Sequence, residues 1–137
     1  MITQSGRILS VLGLAALVGG MLFFGAIMAP LVFTKLPPEV IGPFIRATFP
    51  RYYAFMVCTS LLGALGFGLR GRWLPMLVLL ALAGVTLFLW FWLIPLLNAL
   101  REAGNMAGFA RGHRFSVWVN GAQLLTALWL LLRAALN

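Results

Sequence analysis

Residues Trp73–Leu97 carry the sequence WLPMLVLLALAGVTLFLWFWLIPLL, which contains no Asp, Glu, Lys or Arg. About 20 consecutive apolar residues are enough for a helix to cross the hydrocarbon core of a bilayer. The same charge-free, apolar character recurs in three further stretches, which are Ile8–Phe33, Tyr52–Leu69 and Phe115–Leu132. Because backbone polar groups in hydrocarbon must be satisfied within the element that carries them, each stretch predicts a membrane-spanning helix.

The composition of the whole chain agrees with this interpretation. Hydrophobic residues make up 63% of the 137 residues and charged residues only 9%, against about 25% charged in soluble domains. A chain of this length fits one domain over residues 1–137. We therefore expect an all-α fold, a polytopic membrane four-helix bundle of two antiparallel hairpins. We expect it as a multi-pass integral protein in the cytoplasmic (inner) membrane of a prokaryote.

Prolines and charged turns set the expected helix boundaries. The helices are expected over residues 6–33, 50–69, 73–98 and 113–135, with an interfacial helix over 38–47 on the membrane surface. Pro37 should end the first helix, because proline cannot continue the hydrogen-bond ladder. Pro43 should kink or end the interfacial helix, and Pro50 should open the second helix, where its missing N–H costs nothing.

The lengths of the connections predict how the helices are arranged. The turn Arg70–Arg72 is so short that the helices on either side of it must be antiparallel neighbours. The two longer connections, 34–51 and 98–114, are separated by two crossings. They are therefore expected on the same face of the membrane.

The chain is strongly basic, with a formal charge of +8 from ten Lys and Arg against Glu39 and Glu102. Such a balance is compatible with nucleic-acid binding. Here, however, the basic residues lie in small groups beside the ends of the apolar stretches, which favours anchoring to anionic headgroups. We expect membrane lipids, including anionic headgroups, as partners, and no nucleic acid. Both a homo-oligomer and a larger membrane complex are compatible with the sequence.

Four polar residues form a stripe at the start of the fourth apolar stretch. His113, Ser116, Asn120 and Gln123 are spaced by three, four and three residues, which places them on one face of a helix. Polar groups are costly in lipid, so the stripe should face the bundle interior or a wet cavity. Two interpretations stay open, which are interhelical hydrogen bonds that fix the packing and a functional lining.

A second polar group lies at the end of the third stretch, on the same membrane face as His113. Pro95 frees a backbone carbonyl one turn earlier, and Asn98 and Arg101 share one face of the turn that follows. Arg101 could hold an anion or a lipid phosphate. The alternative is that it extends to the headgroups without a specific ligand.

Metal, haem and enzyme chemistry have less support. The chain has soft ligands suited to Cu(I), namely Met21, Met28, Met56 and Cys58. They form no compact motif, so the sequence does not assign a metal site. A haem would require an axial histidine within the bundle, and His113 is the one histidine. No paired carboxylates, nucleophile–base pair or Gly-rich phosphate loop is present. We expect no cofactor and no catalytic residue.

Three segments resemble a small four-helix membrane family of unknown function that includes transmembrane protein 205. They are PLVFTKLP at 30–37, FPRYY at 49–53, and IPLLNALRE at 94–102 followed by FARGHRFSVWVN at 109–120. They are similar to that family's Phe-Pro-x-Tyr, Pro-x-x-Asn-x-x-Arg and Phe-x-x-x-His-x-x-Ser signatures. Arg114 departs from the pattern, since a small residue is expected after the histidine.

The resemblance implies a four-helix bundle whose signature residues gather on one membrane face. The residues concerned are Phe49, Pro50, Tyr52, Pro95, Asn98, Arg101, His113, Ser116 and Asn120. Arg51 and Tyr53 lie in the same FPRYY segment and complete the candidate binding site. The association of the eukaryotic relative with resistance to platinum drugs implies metal or drug handling.

The leading functional hypothesis is a module for small-solute, metal or drug transport, or for membrane stress. Its polar site would lie between the 34–51 and 98–114 connections. The alternative is an accessory or scaffold subunit of a larger membrane complex. A haem-binding or enzymatic membrane protein is the third hypothesis.

Overall fold

A computed structural model describes all 137 residues, and they form helices joined by short turns. Four continuous helices are each long and apolar enough to cross a membrane, namely α1 (Ile2–Lys35), α2 (Pro38–Leu69), α3 (Trp73–Glu102) and α4 (Met106–Leu136). The predicted all-α fold with four membrane-spanning helices is confirmed. The chain is a multi-pass integral membrane protein.

The three connections between the helices are short turns that make consecutive helices antiparallel. Gly71 and Gly104 occupy the left-handed region in the second and third turns, with φ of +67° and +76°. Asn105 caps α4, because its Oδ1 accepts a hydrogen bond from the Gly108 N–H at 2.9 Å. Helix α2 packs against both α1 and α3, and α4 closes the bundle by contacting α1 and α3.

The structure corrects the expected boundaries at the two longer connections. The interfacial helix expected over 38–47 is the first part of α2, which runs without a break through Pro43 and Pro50. The connection expected over 98–114 shrinks to Ala103–Asn105, because α3 continues to Glu102 and α4 begins at Met106. The helices are therefore longer, and the loops shorter, than the prolines and polar residues predicted.

Position in the membrane explains why α2 tolerates Pro50. Proline lacks the N–H that would bond the Arg46 carbonyl four residues earlier, and the nearby side-chain donors Thr48 Oγ1 and Arg51 Nη1 bond the Phe44 and Ala47 carbonyls instead. With 32 residues, α2 is about 48 Å long at 1.5 Å per residue, which exceeds the roughly 30 Å hydrocarbon core. Its first turns therefore lie at headgroup depth, where water can satisfy the remaining carbonyls.

Two prolines near the same membrane face are each preceded by a π-helical turn. Residues Phe23–Met28 are π-helical before Pro30, and Leu89–Leu93 are π-helical before Pro95. A proline removes one backbone donor and crowds the carbonyl four residues earlier. In a π turn the backbone bonds join residues five apart instead of four. This change in the bonding pattern before each proline allows α1 and α3 to continue past it.

Close backbone approach holds α1 against α2. A Cβ added to Gly13 would lie 2.8 Å from the Gly63 Cα, and one added to Gly66 would lie 2.8 Å from the Ser10 Cα. Small residues at such crossings bring backbones into van der Waals contact, which is the main packing force between helices in lipid. The α1–α2 pair therefore forms a rigid wall of the bundle.

Candidate functional site

The ends of α2, α3 and α4 enclose a cavity of about 620 Å³ on the membrane face that carries the first and third turns. Its polar lining residues come from all three helices and are Arg46, Tyr53, Asn98, Arg101, His113 and Ser116. Its apolar walls include Phe33, Ile41, Ile45, Phe49, Leu93, Ile94, Leu97 and Phe109. The cavity thus combines a few polar groups with apolar walls, as small-molecule sites do.

Half of the residues singled out from the sequence line this cavity. They are Tyr53, Asn98, Arg101, His113 and Ser116. The remaining candidates, Arg51, Tyr52, Pro95, Asn120 and Gln123, are not part of the lining. The two polar groups proposed from α3 and α4 therefore share one space, which α2 completes.

Two arginine side chains converge at the cavity. A Cβ added to Gly42 would lie 3.6 Å from Arg101 Nη1 and 3.7 Å from Arg46 Nη2, so both guanidinium groups reach the same point over Gly42. Arg46 belongs to the exposed start of α2, whereas Arg101 is half-buried near the end of α3. Because Gly42 has no side chain, the two guanidinium groups, which come from different helices, both fit over this position.

An aromatic ring holds the second of these arginines. The Arg101 guanidinium carbon lies 4.6 Å from the centroid of the Phe109 ring, which itself stacks on the His113 imidazole at 6.1 Å. A cation over an aromatic face is attracted by the negative potential of the ring. Glu39 and Glu102 are exposed and neither lines the cavity, so no carboxylate in the lining offsets the two arginines.

Sequence analysis missed Arg46, although the signal was present. Gly42, Arg46, Phe49 and Tyr53 follow each other at spacings of four, three and four, which is the periodicity of one helix face. Pro43 and Pro50 conceal this periodicity, because each of them predicts a helix boundary. In the unbroken α2, all four residues line the cavity.

The polar stripe on α4 divides into two parts. Gln123, the deepest member, donates through Nε2 to the Leu82 carbonyl at 3.2 Å and to Thr86 Oγ1 at 3.0 Å. Both partners belong to α3, so Gln123 joins two helices inside the bundle. This part of the stripe supports the packing interpretation.

The other members of the stripe lie at different depths of the cavity, with His113 at its mouth, Ser116 at its floor and Asn120 beneath the floor. Ser116 Oγ donates to the His113 carbonyl at 2.6 Å, and Asn120 Nδ2 donates to the Ser116 carbonyl at 2.9 Å. Asn120 Oδ1 is buried without a partner in the chain. Asn120 therefore lies under the floor and positions the groups that line it.

Three other candidates lie outside the cavity. Tyr52 stacks on the Phe24 ring of α1, with the two centroids 4.2 Å apart. Arg51 is exposed, and its guanidinium bonds to the backbone of its own helix. Pro95 is exposed as well and follows the π turn of α3. These residues shape the ends of the helices around the cavity.

The soft metal ligands named from the sequence lie in different surroundings. Met21 and Met56 are packed in the hydrophobic core, and Cys58 is an exposed free thiol. No group of three or more His, Cys, Asp or Glu side chains is arranged to hold a metal ion. The core methionines have the environment of packing residues.

The opposite membrane face carries a second basic group. Arg70 Nη1 donates to Ser10 Oγ at 3.4 Å across the α1–α2 contact. Desolvation lowers the pKa of Arg70, and the charges of Arg72 and Arg7 act in the same direction. These arginines line neither the cavity at His113 nor the smaller pocket at Leu69 and Trp73, and their place beside the ends of the helices suits an anchoring role at the headgroups.

Comparison with known proteins gives one match. The family model for a domain of unknown function (DUF4149) matches residues 12–106. The matched region contains the α2 and α3 walls of the cavity, whereas Phe109, His113 and Ser116 follow it. No curated protein and no solved structure matches the chain.

Proposed function

We propose that this chain, which belongs to the DUF4149 family, is a small-solute transport module that binds an organic anion in the cavity between α2, α3 and α4. The observation that carries the proposal is the convergence of Arg46 and Arg101 over Gly42, beside apolar walls. The absence of a carboxylate from the lining leaves this positive charge available for a ligand.

The chemistry of the lining favours an anion over a cation or a neutral solute. Guanidinium groups bind carboxylate, phosphate and sulfonate oxygens through charge-assisted hydrogen bonds. Asn98 and Ser116 add neutral polar groups that can orient the ligand. The interaction is stronger in a partly desolvated cavity than in water, because the local dielectric constant is lower.

The cavity is accessible from one membrane face and closed toward the other. His113 and Arg46 are exposed at its mouth, whereas Ser116 at its floor is only 7% exposed. Leu14, Leu79 and Leu130 belong to the packed apolar core. Transport therefore requires a rearrangement of the helices, and the π turns before Pro30 and Pro95 are the places where the backbone departs from regular α-helix.

We also propose kinship with the family that includes transmembrane protein 205. The support is that Asn98, Arg101, His113 and Ser116, which carry the resemblance in sequence, line one cavity. The proposal that the cavity binds and transports an organic anion does not depend on this kinship.

Charge-selective labelling of the cavity floor tests the binding site. In a Cys58→Ser background, Ser116→Cys places one thiol at the floor, and its reaction with anionic methanethiosulfonate ethylsulfonate is compared with its reaction with cationic methanethiosulfonate ethyltrimethylammonium. With each rate divided by that reagent's rate with a small free thiol, we expect the anionic reagent to react several-fold faster, and Arg46→Gln or Arg101→Gln to remove the preference. Arg111→Gln, on the same face and exposed, is the matched control and should preserve it. Equal normalised rates for both reagents would overturn the anion site.

A flux measurement tests the transport role. Proteoliposomes loaded with 1-naphthyl phosphate, an organic anion that does not cross lipid unaided, should release it faster than protein-free liposomes. Arg101→Gln should reduce the protein-dependent rate. Charge-selective labelling without any efflux would instead favour the accessory-subunit hypothesis.

A further inference from the structure

The cavity crosses the boundary between the headgroups and the hydrocarbon. Arg46 precedes the charge-free stretch of α2 and Arg101 follows that of α3, whereas Leu93 and Ser116 lie inside their stretches. Along α3, Arg101 and Leu93 are about 12 Å apart at 1.5 Å per residue. A ligand that fills the cavity therefore contacts the two arginines at one end and reaches the depth of the hydrocarbon core at the other.

The apolar walls extend beyond what a small anion can cover. Nine of the 17 lining residues are hydrophobic, and the cavity measures about 620 Å³. An inorganic anion between the two arginines would leave Ile45 and Leu93 against water. A ligand with a hydrocarbon chain removes that apolar surface from water, which is favourable.

The lining of the cavity reaches the outer surface of the bundle at α1. No Cα of Ala29–Lys35 lies within 8 Å of α4, although the first part of α1 packs against α4. Phe33 lines the cavity beside this gap and is 54% exposed. Because Phe33 belongs to the lining and is exposed, the cavity has a lateral edge beside the last turns of α1, near the depth of the upper acyl chains.

We infer that the ligand is an anionic single-chain amphiphile supplied by the bilayer, with a phosphate or carboxylate head between Arg46 and Arg101. Its chain lies along the apolar walls and leaves through the gap between α1 and α4. This inference rests on the proposed anion cavity and names its substrate class. It also gives the two arginines a specific ligand in place of general contact with headgroups.

Thermal unfolding of the full chain in dodecyl maltoside tests the inference. The probes are dodecyl phosphate, dodecanoate, dodecylphosphocholine with the same chain on a zwitterionic head, and ethyl phosphate with the head alone. Dodecyl phosphate and dodecanoate should raise Tm by several degrees at a low mole fraction in the micelle. Dodecylphosphocholine and ethyl phosphate should leave it unchanged. Arg46→Gln and Arg101→Gln should each reduce the shift, and Arg111→Gln should preserve it.

The outcomes separate this inference from the proposed function. Stabilisation by ethyl phosphate equal to that by dodecyl phosphate would identify a water-soluble anion, which overturns the amphiphile and leaves the anion cavity standing. A dodecyl phosphate shift that persists without both arginines would reflect micelle charge and would also overturn the inference. If no probe stabilises the protein and floor labelling shows no charge preference, the inference and the proposed function both fail.

Discussion

The guanidinium carbon of Arg101 lies 4.6 Å from the centroid of the Phe109 ring, across the Ala103–Asn105 turn that joins α3 to α4. An arginine at the end of a membrane helix ordinarily extends toward the headgroups. The Phe109 ring instead offers the cation a place over the cavity, and the neighbouring His113 ring supports it. The contact between Arg101 and Phe109 therefore holds the guanidinium group at the cavity instead of among the headgroups.

Replacing Phe109 by leucine should weaken anion binding while retaining an apolar side chain. A cation–π contact contributes about 0.5–1 kcal/mol at exposed sites, which corresponds to a roughly 2–5-fold loss of affinity. The affinity is measured by titrating dodecyl phosphate and recording the Tm of the protein at each concentration. Phe115→Leu, at an exposed position that does not line the cavity, is the control. Equal affinities for both variants would show that the ring does not hold Arg101.

Gly13→Ala should destabilise the bundle, because the new methyl group meets the Gly63 backbone of α2. Overpacking of a close contact costs about 1–3 kcal/mol, since the backbones must separate. Gly19, on the same helix, has open space around its added Cβ. Gly19→Ala is therefore the matched control and should not lower Tm. A similar loss for both variants would contradict the tight α1–α2 contact.

Gln123→Ala should lower stability without changing the cavity. The substitution removes the hydrogen bonds to Leu82 and Thr86 of α3, and interhelical bonds of this kind contribute about 0.6 kcal/mol each, with a maximum near 1.7. Thermal unfolding should report the loss, whereas the charge preference of labelling at Ser116→Cys should stay the same. The reverse result, a lost preference with unchanged stability, would assign Gln123 to the functional lining.

The four spans could be predicted because the bilayer restricts composition strongly. A stretch such as Trp73–Leu97 has no charged residue to place in hydrocarbon, and its backbone must then close its own bonds. The spacing of His113 and Ser116 likewise predicted a shared face, and both residues line the cavity. These features depend on local sequence alone.

The missed features depend on context that local sequence does not contain. Pro43 and Pro50 predicted boundaries, but α2 continues through them because its first turns lie at headgroup depth, where water can bond the carbonyls that the prolines leave without a donor. Arg46 was missed for the same reason. The π turns of α1 and α3 have the same apolar composition as α-helix, so nothing in the residues separates the two.

Asn98→Ala and His113→Ala should impair anion binding without unfolding the bundle. Asn98 is half-buried in the cavity lining, and His113 contributes its backbone carbonyl, not its imidazole, to the bond with Ser116. Truncating either side chain therefore leaves the hydrogen bond under the floor intact, so no buried donor or acceptor loses its partner. Ligand-free Tm should stay close to that of the unmodified chain, while the shift produced by dodecyl phosphate should shrink. If both variants unfold instead, these polar residues serve packing alone, and the assignment of the cavity as a binding site is wrong.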